Sequence, residues 1–429
     1  MRQHLKQAAV VRGSDLSEVR RTVTRILEDV AEGGEAAIRR YSKEFDKWDP
    51  ASFRVDQATI ERSAKDLPEG LKSDIRFAAA QVERFARLQR ERITDFEVET
   101  LPGVWLGQRT IPVAMVGSYT PGGRYPLISS ALMTVVTPRV AGVGRVVAVA
   151  PPRNANGIHP PTLYAMAVAG ADEVYCLGGV QALAALAYGG LDGLPPVDMI
   201  VGAGNAYVAE AKRQLFGTIG IDLLAGPTEI LILADESADS HVVATDLLSQ
   251  AEHDPRSPAV LVTTSEALGR DVITAVDRLL QTWPTAGVAG QAWRDRGEVI
   301  VVDTREEAVA LSDEFAPEHL EVLCQDLDWY TERLHNYGSL FIGEETTVSY
   351  GDKAVGTNHV LPTMGAARYT GGLWVGKFLK TVTTQRLSRS GSVHIAGPVS
   401  RISNAELMYG HALAADLRTE MYGAAAENS

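Results

Sequence analysis

From residue 111 to residue 342, short runs of β-branched and other apolar residues alternate with alanine-rich stretches of helical length. This alternation constrains the fold most, because strands that alternate with helices build parallel sheets with helices packed on their faces. The first series of predicted strands comprises Ile111–Val116, Arg145–Ala150, Glu173–Leu177 and Met199–Val201. The second series comprises Glu229–Ala234, Ala259–Thr263, Glu298–Val302, His319–Leu323 and Ser339–Ile342. Two α/β units are therefore predicted, with the changeover near Gly220–Gly226.

The segments on either side of this region follow other patterns. Residues from about Asp15 to Arg92 are charged and repeat apolar positions at helical spacing, with an interruption at Gly33-Gly34. After about Gly365 the alternation ends, and we expect irregular chain followed by a helix around Ala405–Arg418.

These patterns predict an α/β protein of two Rossmann-like parallel-sheet domains, with a helical N-terminal segment and a small C-terminal segment. The length of 429 residues agrees with more than one core. We predict a discontinuous first domain from residues 15–115 and 222–364, and a second domain from residues 116–221. Residues 1–14 and 365–429 are predicted to be small terminal segments.

The charge and cysteine content exclude several classes of protein. There are 41 lysine and arginine residues against 54 aspartate and glutamate residues, a formal net charge of −13, so nucleic acid is not an expected partner. Two cysteines, Cys176 and Cys324, cannot form a disulfide framework. No apolar stretch follows the charged N-terminus, and no run of about 18 apolar residues occurs. We therefore expect no signal peptide or membrane span, and a cytoplasmic protein.

Gln250 and His253 are the first candidates for chemistry. They lie three residues apart on a predicted helix that Pro255 limits, so both project from one face. Imidazole is the most common zinc ligand, and an amide oxygen can lie beside it. The spacing alone leaves the alternative open that His253 is a surface or core histidine.

Glu318 and His319 follow one another in a loop before a predicted strand. An adjacent carboxylate and imidazole provide two proton-transfer groups in one loop. A surface glutamate beside a capping histidine is the alternative interpretation.

Two further segments carry a carboxylate and an imidazole each. The loop Gly351–Thr363 contains Asp352 and His359, and it lies between apolar stretches where a simple turn requires no histidine. Near the C-terminus, Glu406 and His411 stand five residues apart on a predicted helix, so their side chains project in different directions.

Several of these segments together resemble the signature segments of the histidinol dehydrogenase family. The similarity extends from about Val19 to Arg418 in the family's order. The segments that carry it are Tyr119–Gly123, Gly178-Gly179 with Gln181, Gly204-Asn205 followed by Glu210-Ala211-Lys212-Arg213, Ser249–His253, Pro317–His319 and Gly351–Thr363.

The resemblance implies an NAD-linked zinc enzyme that oxidises a primary alcohol through an aldehyde to a carboxylate. It implies one zinc ion per subunit, held by Gln250, His253, Asp352 and His411. It assigns catalysis to Glu318 and His319, and the contacts with NAD to Tyr119, Gln181 and Asn205. It places in the substrate pocket the four zinc ligands and His319, together with Arg124, Ser129, Thr228, His359 and Glu406.

The same resemblance implies a homodimer with exchanged C-terminal segments and an active site shared between subunits. The terminal segments are accordingly expected to pack on the partner. The zinc and catalytic loops fall in the predicted first domain, and the NAD contacts in the second. No Gly-x-Gly-x-x-Gly motif occurs, so the expectation of NAD binding depends on the resemblance alone.

Four positions depart from the family's usual pattern. Arg124 replaces a small residue, Thr228 a serine, Leu407-Met408 a Gly-Leu pair, and Lys377 an acidic residue. Two added positive charges near the pocket favour an anionic substrate, because a guanidinium repels an amine and binds oxyanions. We therefore favour the branch of sulfopropanediol dehydrogenases, which oxidise 2,3-dihydroxypropane-1-sulfonate to sulfolactate. Histidinol is the alternative substrate, with Arg124 directed to solvent or to an acidic neighbour.

Two hypotheses of other classes remain at this stage. A non-enzymatic binding protein with two α/β lobes would show the same alternation and would hold no metal. A dehydrogenase with a cysteine nucleophile would use Cys324. A small buried apolar residue is the simpler interpretation of Cys324.

Overall fold

The computed structural model describes residues 2–9, 16–191 and 193–426. The strands are, in chain order, β1 (Gln3–Lys6), β2 (Phe96–Leu101), β3 (Val104–Pro112), β4 (Met115–Tyr119), β5 (Arg145–Ala150), β6 (Glu173–Cys176), β7 (Met199–Val201), β8 (Gly220–Ile221), β9 (Ile230–Ala234), β10 (Ala259–Thr263), β11 (Gly297–Val301), β12 (His319–Leu323), β13 (Ser339–Ile342) and β14 (Leu379–Leu387).

The α-helices are α1 (Ser17–Tyr41), α2 (Gln57–Lys65), α3 (Glu69–Glu91), α4 (Ile128–Ala141), α5 (Pro160–Val168), α6 (Gly179–Tyr188), α7 (Ala206–Leu215), α8 (Ser240–Ala251), α9 (Glu266–Leu280), α10 (Ala286–Arg296), α11 (Arg305–Phe315), α12 (Leu327–Thr331), α13 (Val348–Lys353), α14 (Arg389–Ala405) and α15 (Tyr409–Ala426). Gly34 interrupts α1 with φ of 52°, where the sequence predicted a break. None of the described helices combines the length and the apolar character that a membrane span needs.

Two parallel sheets confirm the predicted α/β class. One has the order β6-β5-β4-β7-β8, and the other has the order β1-β11-β10-β9-β12-β13, in which only β1 is antiparallel. Numbered within its own series, each set of parallel strands has the order 3-2-1-4-5, which is that of Rossmann-like sheets. The short runs of the sequence therefore form two sheets of the same topology.

Each sheet is buried on both faces, as parallel sheets are. Val146 and Ala148 of β5 face a core that includes residues of α3, α4 and α5. Val147 and Val149 face the opposite way, into a core with α1, α6 and α7. The six-stranded sheet packs α8, α9 and α10 on one face, and α11 and α12 on the other.

The helices before residue 115 pack differently from the predicted grouping. Residues 15–115 were grouped with residues 222–364, but α1 and α3 pack on the five-stranded sheet, because their apolar faces complete its two cores. The N-terminal strand β1 instead joins the six-stranded sheet beside β11. The predicted boundary between residues 14 and 15 lies outside the described residues, and the domain division stays a prediction.

Three predicted elements are wrong. The strand predicted at Ile111–Val116 is two strands, because the backbone leaves the three-stranded sheet β14-β3-β2 after Pro112 and enters the five-stranded sheet at Met115. The tail after Gly365 is not irregular: β14 pairs with β3 over nine residues, and α14 and α15 follow. Most of β14 is exposed, so it lacks the apolar period that reveals a strand. The single helix predicted around Ala405–Arg418 is divided at Leu407, where φ is 59°.

Gly202, directly after β7, has φ of 122°, and an added Cβ would lie 2.0 Å from the carbonyl oxygen of Tyr119. We predict that Gly202→Ala lowers the free energy of unfolding by more than about 2 kcal/mol, because strain and a clash combine. Gly193→Ala is the matched control, since Gly193 also has positive φ but no atom within 4 Å of the added Cβ. Urea unfolding measures both, and equal losses would contradict the close approach of Tyr119.

Candidate functional site

The candidate catalytic residues lie where β9 and β12 begin. These strands are parallel neighbours, and His319 is in register with Ile230. Thr228 precedes β9 and Glu318 precedes β12, so these two residues lie side by side. Helix α8, which packs beside β9, carries Gln250, and His253 follows its end. Asp352 lies in α13, which contacts α8.

His319 is held as a neutral base. Its ring is 2% exposed, and Nδ1 lies 3.0 Å from the carbonyl oxygen of Glu229. Because a carbonyl oxygen only accepts hydrogen bonds, Nδ1 carries the proton and Nε2 is left with a lone pair. Nε2 is buried, has no hydrogen-bond partner among the described atoms, and lies 3.8 Å from Asp352 Oδ1. Burial lowers the pKa of His319 although Asp352 opposes the shift.

Glu318 is a buried carboxyl group with two hydrogen-bond donors. Its Oε2 accepts from the hydroxyl of Thr228 and from the backbone N–H of Glu229, at 3.0 Å for the latter. Burial raises the pKa of Glu318 well above its ordinary value, and the two donors oppose the shift. His319 Nδ1 lies 3.5 Å from the same oxygen. The pair combines a carboxyl group that holds a proton readily with an imidazole that does not.

Gln250, His253 and Asp352 come together beside this pair. Gln250 is 2% exposed, and its Nε2 donates to Thr228 Oγ1. His253 Nε2 lies 3.9 Å from Asp352 Oδ2. Burial would raise the pKa of Asp352, but the surrounding histidines and Lys353 hold it below its ordinary value, so a carboxylate is available. An amide oxygen, an imidazole and a carboxylate are donors that zinc accepts.

The fourth predicted ligand is not with the other three. His411 is exposed at the start of α15, and Glu406 is exposed at the end of α14. In the described part of the chain, no hydrogen bond or ion pair links either side chain to Gln250, His253 or Asp352. Nor do three or more described His, Cys, Asp or Glu side chains cluster as a metal site. The predicted ligand set is therefore incomplete within one chain.

The predicted NAD contacts all lie at the carboxyl edge of the five-stranded sheet. Tyr119 ends β4, and Gly202–Asn205 follows β7, which is the next strand on the other side of the order reversal. In open α/β sheets, ligands bind at such a reversal. Gln181 lies in the first turn of α6, after β6. This edge is where a dinucleotide is expected from topology.

The individual side chains at this edge have other partners as well. Tyr119 is buried and accepts from the Gly179 N–H at 3.2 Å, and burial raises its pKa to about 12. Gln181 Nε2 donates to Asp46 Oδ2 at 3.0 Å, whereas its Oε1 is buried without a described partner. The side chain of Asn205 accepts from the first N–H groups of α7. Its carboxamide therefore caps that helix.

A buried ion pair holds the backbone of Gly202 at this edge of the five-stranded sheet. Lys212 and Asp222 are paired, with side chains 3% and 0% exposed. Lys212 Nζ donates to the carbonyl oxygen of Gly202 at 2.9 Å. The backbone N–H of Gly202 donates to Asp222 Oδ2 at 2.7 Å. Lys212 belongs to one of the segments that carry the family resemblance, and this contact gives it a structural role.

The loop that carries Arg124 docks on the end of α8. The hydroxyl of Tyr125 donates to the carbonyl oxygen of Glu252 at 3.1 Å, next to His253. Arg124 is exposed. Burial would raise the pKa of Asp254, but the hydrogen bonds and charge of Arg256, and then the charge of Arg124, hold it below its ordinary value. Asp254 is ion-paired to Arg256, and in the described part of the chain Arg124 forms no ion pair or hydrogen bond. Its guanidinium is therefore exposed and unpaired near Asp254.

The remaining predicted pocket residues have mixed surroundings. His359 is engaged at both ring nitrogens, with Nδ1 2.8 Å from the carbonyl oxygen of Asp352 and Nε2 2.9 Å from Ser130 Oγ. Ser129 is buried in α4, next to Ser130. Lys377 donates to Thr370 Oγ1 at 3.0 Å.

Sequence reasoning missed four residues of this region. Ser130 binds His359, Asp46 binds Gln181, Lys353 lies 3.5 Å from Asp352, and Glu229 contacts both members of the catalytic pair. Glu229 and Lys353 adjoin candidate residues along the chain, and this was the available signal. Ser130 and Asp46 meet their partners only through tertiary packing.

Cys324 lies away from the catalytic pair. It follows the last residue of β12, whereas Glu318 precedes the first, so about 16 Å of strand separates them. Its thiol is buried and donates to the carbonyl oxygen of Leu233, and burial raises its pKa to about 12. This geometry supports the interpretation of a buried apolar residue over that of a nucleophile.

Comparisons with known proteins agree with this architecture. A family model described as histidinol dehydrogenase matches residues 11–419. The chain is 51% identical to a "Histidinol dehydrogenase homolog" of Shouchella clausii, over 95% of each chain. It is 50% identical to the "Sulfopropanediol 3-dehydrogenase" of Ruegeria pomeroyi, over 98% of this chain and 97% of that one. The crystal structure of histidinol dehydrogenase from Elizabethkingia anophelis superposes with a TM-score of 0.90, 33% identity, and coverage of 97% and 94%.

Thr228 offers a test of the hydrogen bonds at Glu318. We predict that Thr228→Val lowers the free energy of unfolding by about 1.5–3 kcal/mol, because a buried carboxyl group loses a donor. The loss should grow as pH rises and Glu318 ionises, since the hydroxyl bond stabilises the carboxylate. Thr228→Ser keeps the hydroxyl and is the matched control. Urea unfolding at several pH values checks this, and equal stability of the two variants would contradict the arrangement.

Proposed function

Because this chain belongs to the histidinol dehydrogenase family of NAD-dependent enzymes that oxidise CH–OH groups, we propose that it oxidises 2,3-dihydroxypropane-1-sulfonate to sulfolactate. The reaction removes two hydrides: one alcohol, two NAD⁺ and one water give one carboxylate, two NADH and three protons. The observation that carries the choice of substrate is Arg124, which forms no ion pair in the described chain and lies in a loop that the contact of Tyr125 with Glu252 fixes at the end of α8.

In the described part of the chain no carboxylate is paired with Arg124, so its guanidinium can bind an anionic head group. Asp254, whose pKa is lowered in part by the charge of Arg124, is paired with Arg256 at 2.8 Å. A sulfonate can accept two charge-assisted hydrogen bonds from one guanidinium. The 50% identity to a protein named for sulfopropanediol supports the same choice. Histidinol, with its amine, is the alternative, and the names of other relatives favour it.

His319 is the base for the alcohol in this proposal. Its protonated Nδ1 is bonded to Glu229, so the free Nε2 can accept the hydroxyl proton as the hydride leaves. Burial keeps the imidazole neutral before that step. Asp352, 3.8 Å from Nε2, then stabilises the imidazolium that forms.

Glu318 is the base for the second half of the reaction. The aldehyde has to be hydrated before a second hydride can leave, and a carboxylate can deprotonate the attacking water. The donors Thr228 and Glu229 stabilise the ionised form, whereas burial favours its protonation afterwards. These opposed effects suit a group that gains and loses a proton in each turnover.

The donor set fits a zinc ion whose fourth ligand is not brought to the other three within one chain. Gln250, His253 and Asp352 would hold it, and zinc when bound supplies a Lewis acid that lowers the pKa of an alcohol. NAD when bound accepts the hydride, and Tyr119, Gln181 and Asn205 lie at the edge where we propose that it binds.

We propose that a second copy of the chain supplies His411 and Glu406. Helices α14 and α15 leave large apolar side chains more than half exposed, as a surface that meets a partner does. These side chains are Ile402, Leu407, Tyr409, Leu413 and Met421. A fully active monomer in solution would contradict the shared site.

A cytoplasmic location fits the two reduced, buried thiols and the use of NAD.

The two catalytic neighbours should fail differently. We predict that Glu318→Gln slows oxidation of the aldehyde by about 100-fold or more, and oxidation of the alcohol much less, because only the aldehyde step needs activated water. His319→Asn should slow alcohol oxidation as well. Stopped-flow measurement of NADH from each substrate separates the steps. If both variants slow the two steps in equal proportion, the division of roles is wrong.

Arg124 tests the substrate. We predict that Arg124→Ser raises the Michaelis constant for 2,3-dihydroxypropane-1-sulfonate at least tenfold, equivalent to about 1.4 kcal/mol. Arg124→Lys keeps the charge and should lose less, and the constant for an uncharged polyol should not change. Efficient histidinol oxidation, together with an Arg124→Ser variant that behaves like the unaltered enzyme, would favour histidinol instead.

A further inference from the structure

Glu229 makes contacts with the catalytic pair through its backbone and its side chain. Its backbone N–H donates to Glu318 Oε2 at 3.0 Å, and its carbonyl oxygen accepts from His319 Nδ1 at 3.0 Å. Its carboxyl group accepts from the backbone N–H of Met364 at 3.0 Å. One residue therefore touches both candidate catalytic side chains and the loop that contains Met364.

Glu229 also borders a cavity of about 380 Å³. Its lining includes Ile230 and Leu231 of β9 and Val260 of β10, and its other charged members are Arg296, Glu298, Glu314 and Arg368. Glu298 lies 3.6 Å from His4, and Glu314 is paired with Arg2, so these two carboxylates have partners. Solvent in the cavity can exchange protons with Glu229, whereas Glu318 is enclosed.

The environment of Glu229 differs from that of an ordinary surface glutamate. Burial raises its pKa to about 7, and backbone hydrogen bonds oppose the shift. The charge of Glu229 in turn raises the pKa of Glu318, after burial. The ionised form can accept hydrogen bonds at both oxygens, whereas a protonated carboxyl group has one oxygen engaged as a donor.

We propose that Glu229 is a positioning residue for the proposed reaction, which sets the tautomer of His319 and the orientation of Glu318 through its backbone and holds its own backbone against the loop at Met364 through its carboxylate. It transfers no proton to the substrate. Its effect on the rate comes from geometry, because small displacements of catalytic groups reduce rates strongly. The sequence around Glu229 does not reveal this role, because a glutamate directly before a strand is ordinary.

Glu229→Gln tests the proposal, with Glu298→Gln as the matched control from the same cavity. The amide keeps the size but cannot ionise, and its NH2 group cannot accept a hydrogen bond. We expect kcat to fall about tenfold or more while the Michaelis constant for the alcohol changes less than about twofold. In the unaltered enzyme, the rate should fall as the pH drops through about 7, and this step should be weaker in Glu229→Gln. Glu298→Gln should keep both the rate and the step.

A second measurement does not depend on any substrate. Because the pKa of Glu229 is raised in the folded state, its contribution to stability is present below the unfolded pKa and is lost as pH rises through about 7. The Tm of Glu229→Gln, relative to that of the unaltered protein, should therefore increase by about 3 °C from acidic to alkaline pH. An unchanged kcat and pH profile in Glu229→Gln, or a flat Tm difference, would overturn the proposal. If the unaltered protein oxidises no alcohol, the proposed function fails, and the Tm comparison still decides the state of Glu229.

Discussion

The hydrogen bond between His319 Nδ1 and the carbonyl oxygen of Glu229 determines what the site can do. It fixes the tautomer, and it leaves Nε2 as a buried lone pair with Asp352 as the nearest charged group. The bond exists because β9 and β12 are adjacent and in register, with His319 opposite Ile230. The proposed chemistry thus depends on a strand pairing that any shift of register would destroy.

The two α/β units place their candidate functional residues at opposite edges of similar sheets. The five-stranded sheet offers its carboxyl edge, where Tyr119 and Gly202 lie, as in other Rossmann-like sheets. The six-stranded sheet offers the amino ends of β9 and β12 instead. Two hydrogen bonds connect the units: one joins Ser130 to His359, and the other joins Tyr125 to Glu252. Residues of both units therefore meet beside Asp352, which His359 contacts.

The sequence predicted strands well where both faces are buried and poorly where they are not. Ala259–Thr263 and His319–Leu323 are apolar enough to be read directly, and both were correct. Exposed β14 has no such pattern, and neither the split strand around Val113 nor the packing of α1 follows from local residues. Glu318 and His319 could be nominated from their types, but the role of Glu229 needed the β9–β12 pairing. The separation of His411 from the other ligands required the tertiary structure.

The most direct test of the account is the yield of NADH when 2,3-dihydroxypropane-1-sulfonate is limiting and NAD is in excess. We predict two NADH for each molecule of alcohol. This yield should disappear when a chelator has removed metal from the protein, and it should return when zinc is added. One NADH for each molecule would contradict the role of Glu318 in a second oxidation. Full activity in demonstrably metal-free protein would contradict the role of Gln250, His253 and Asp352.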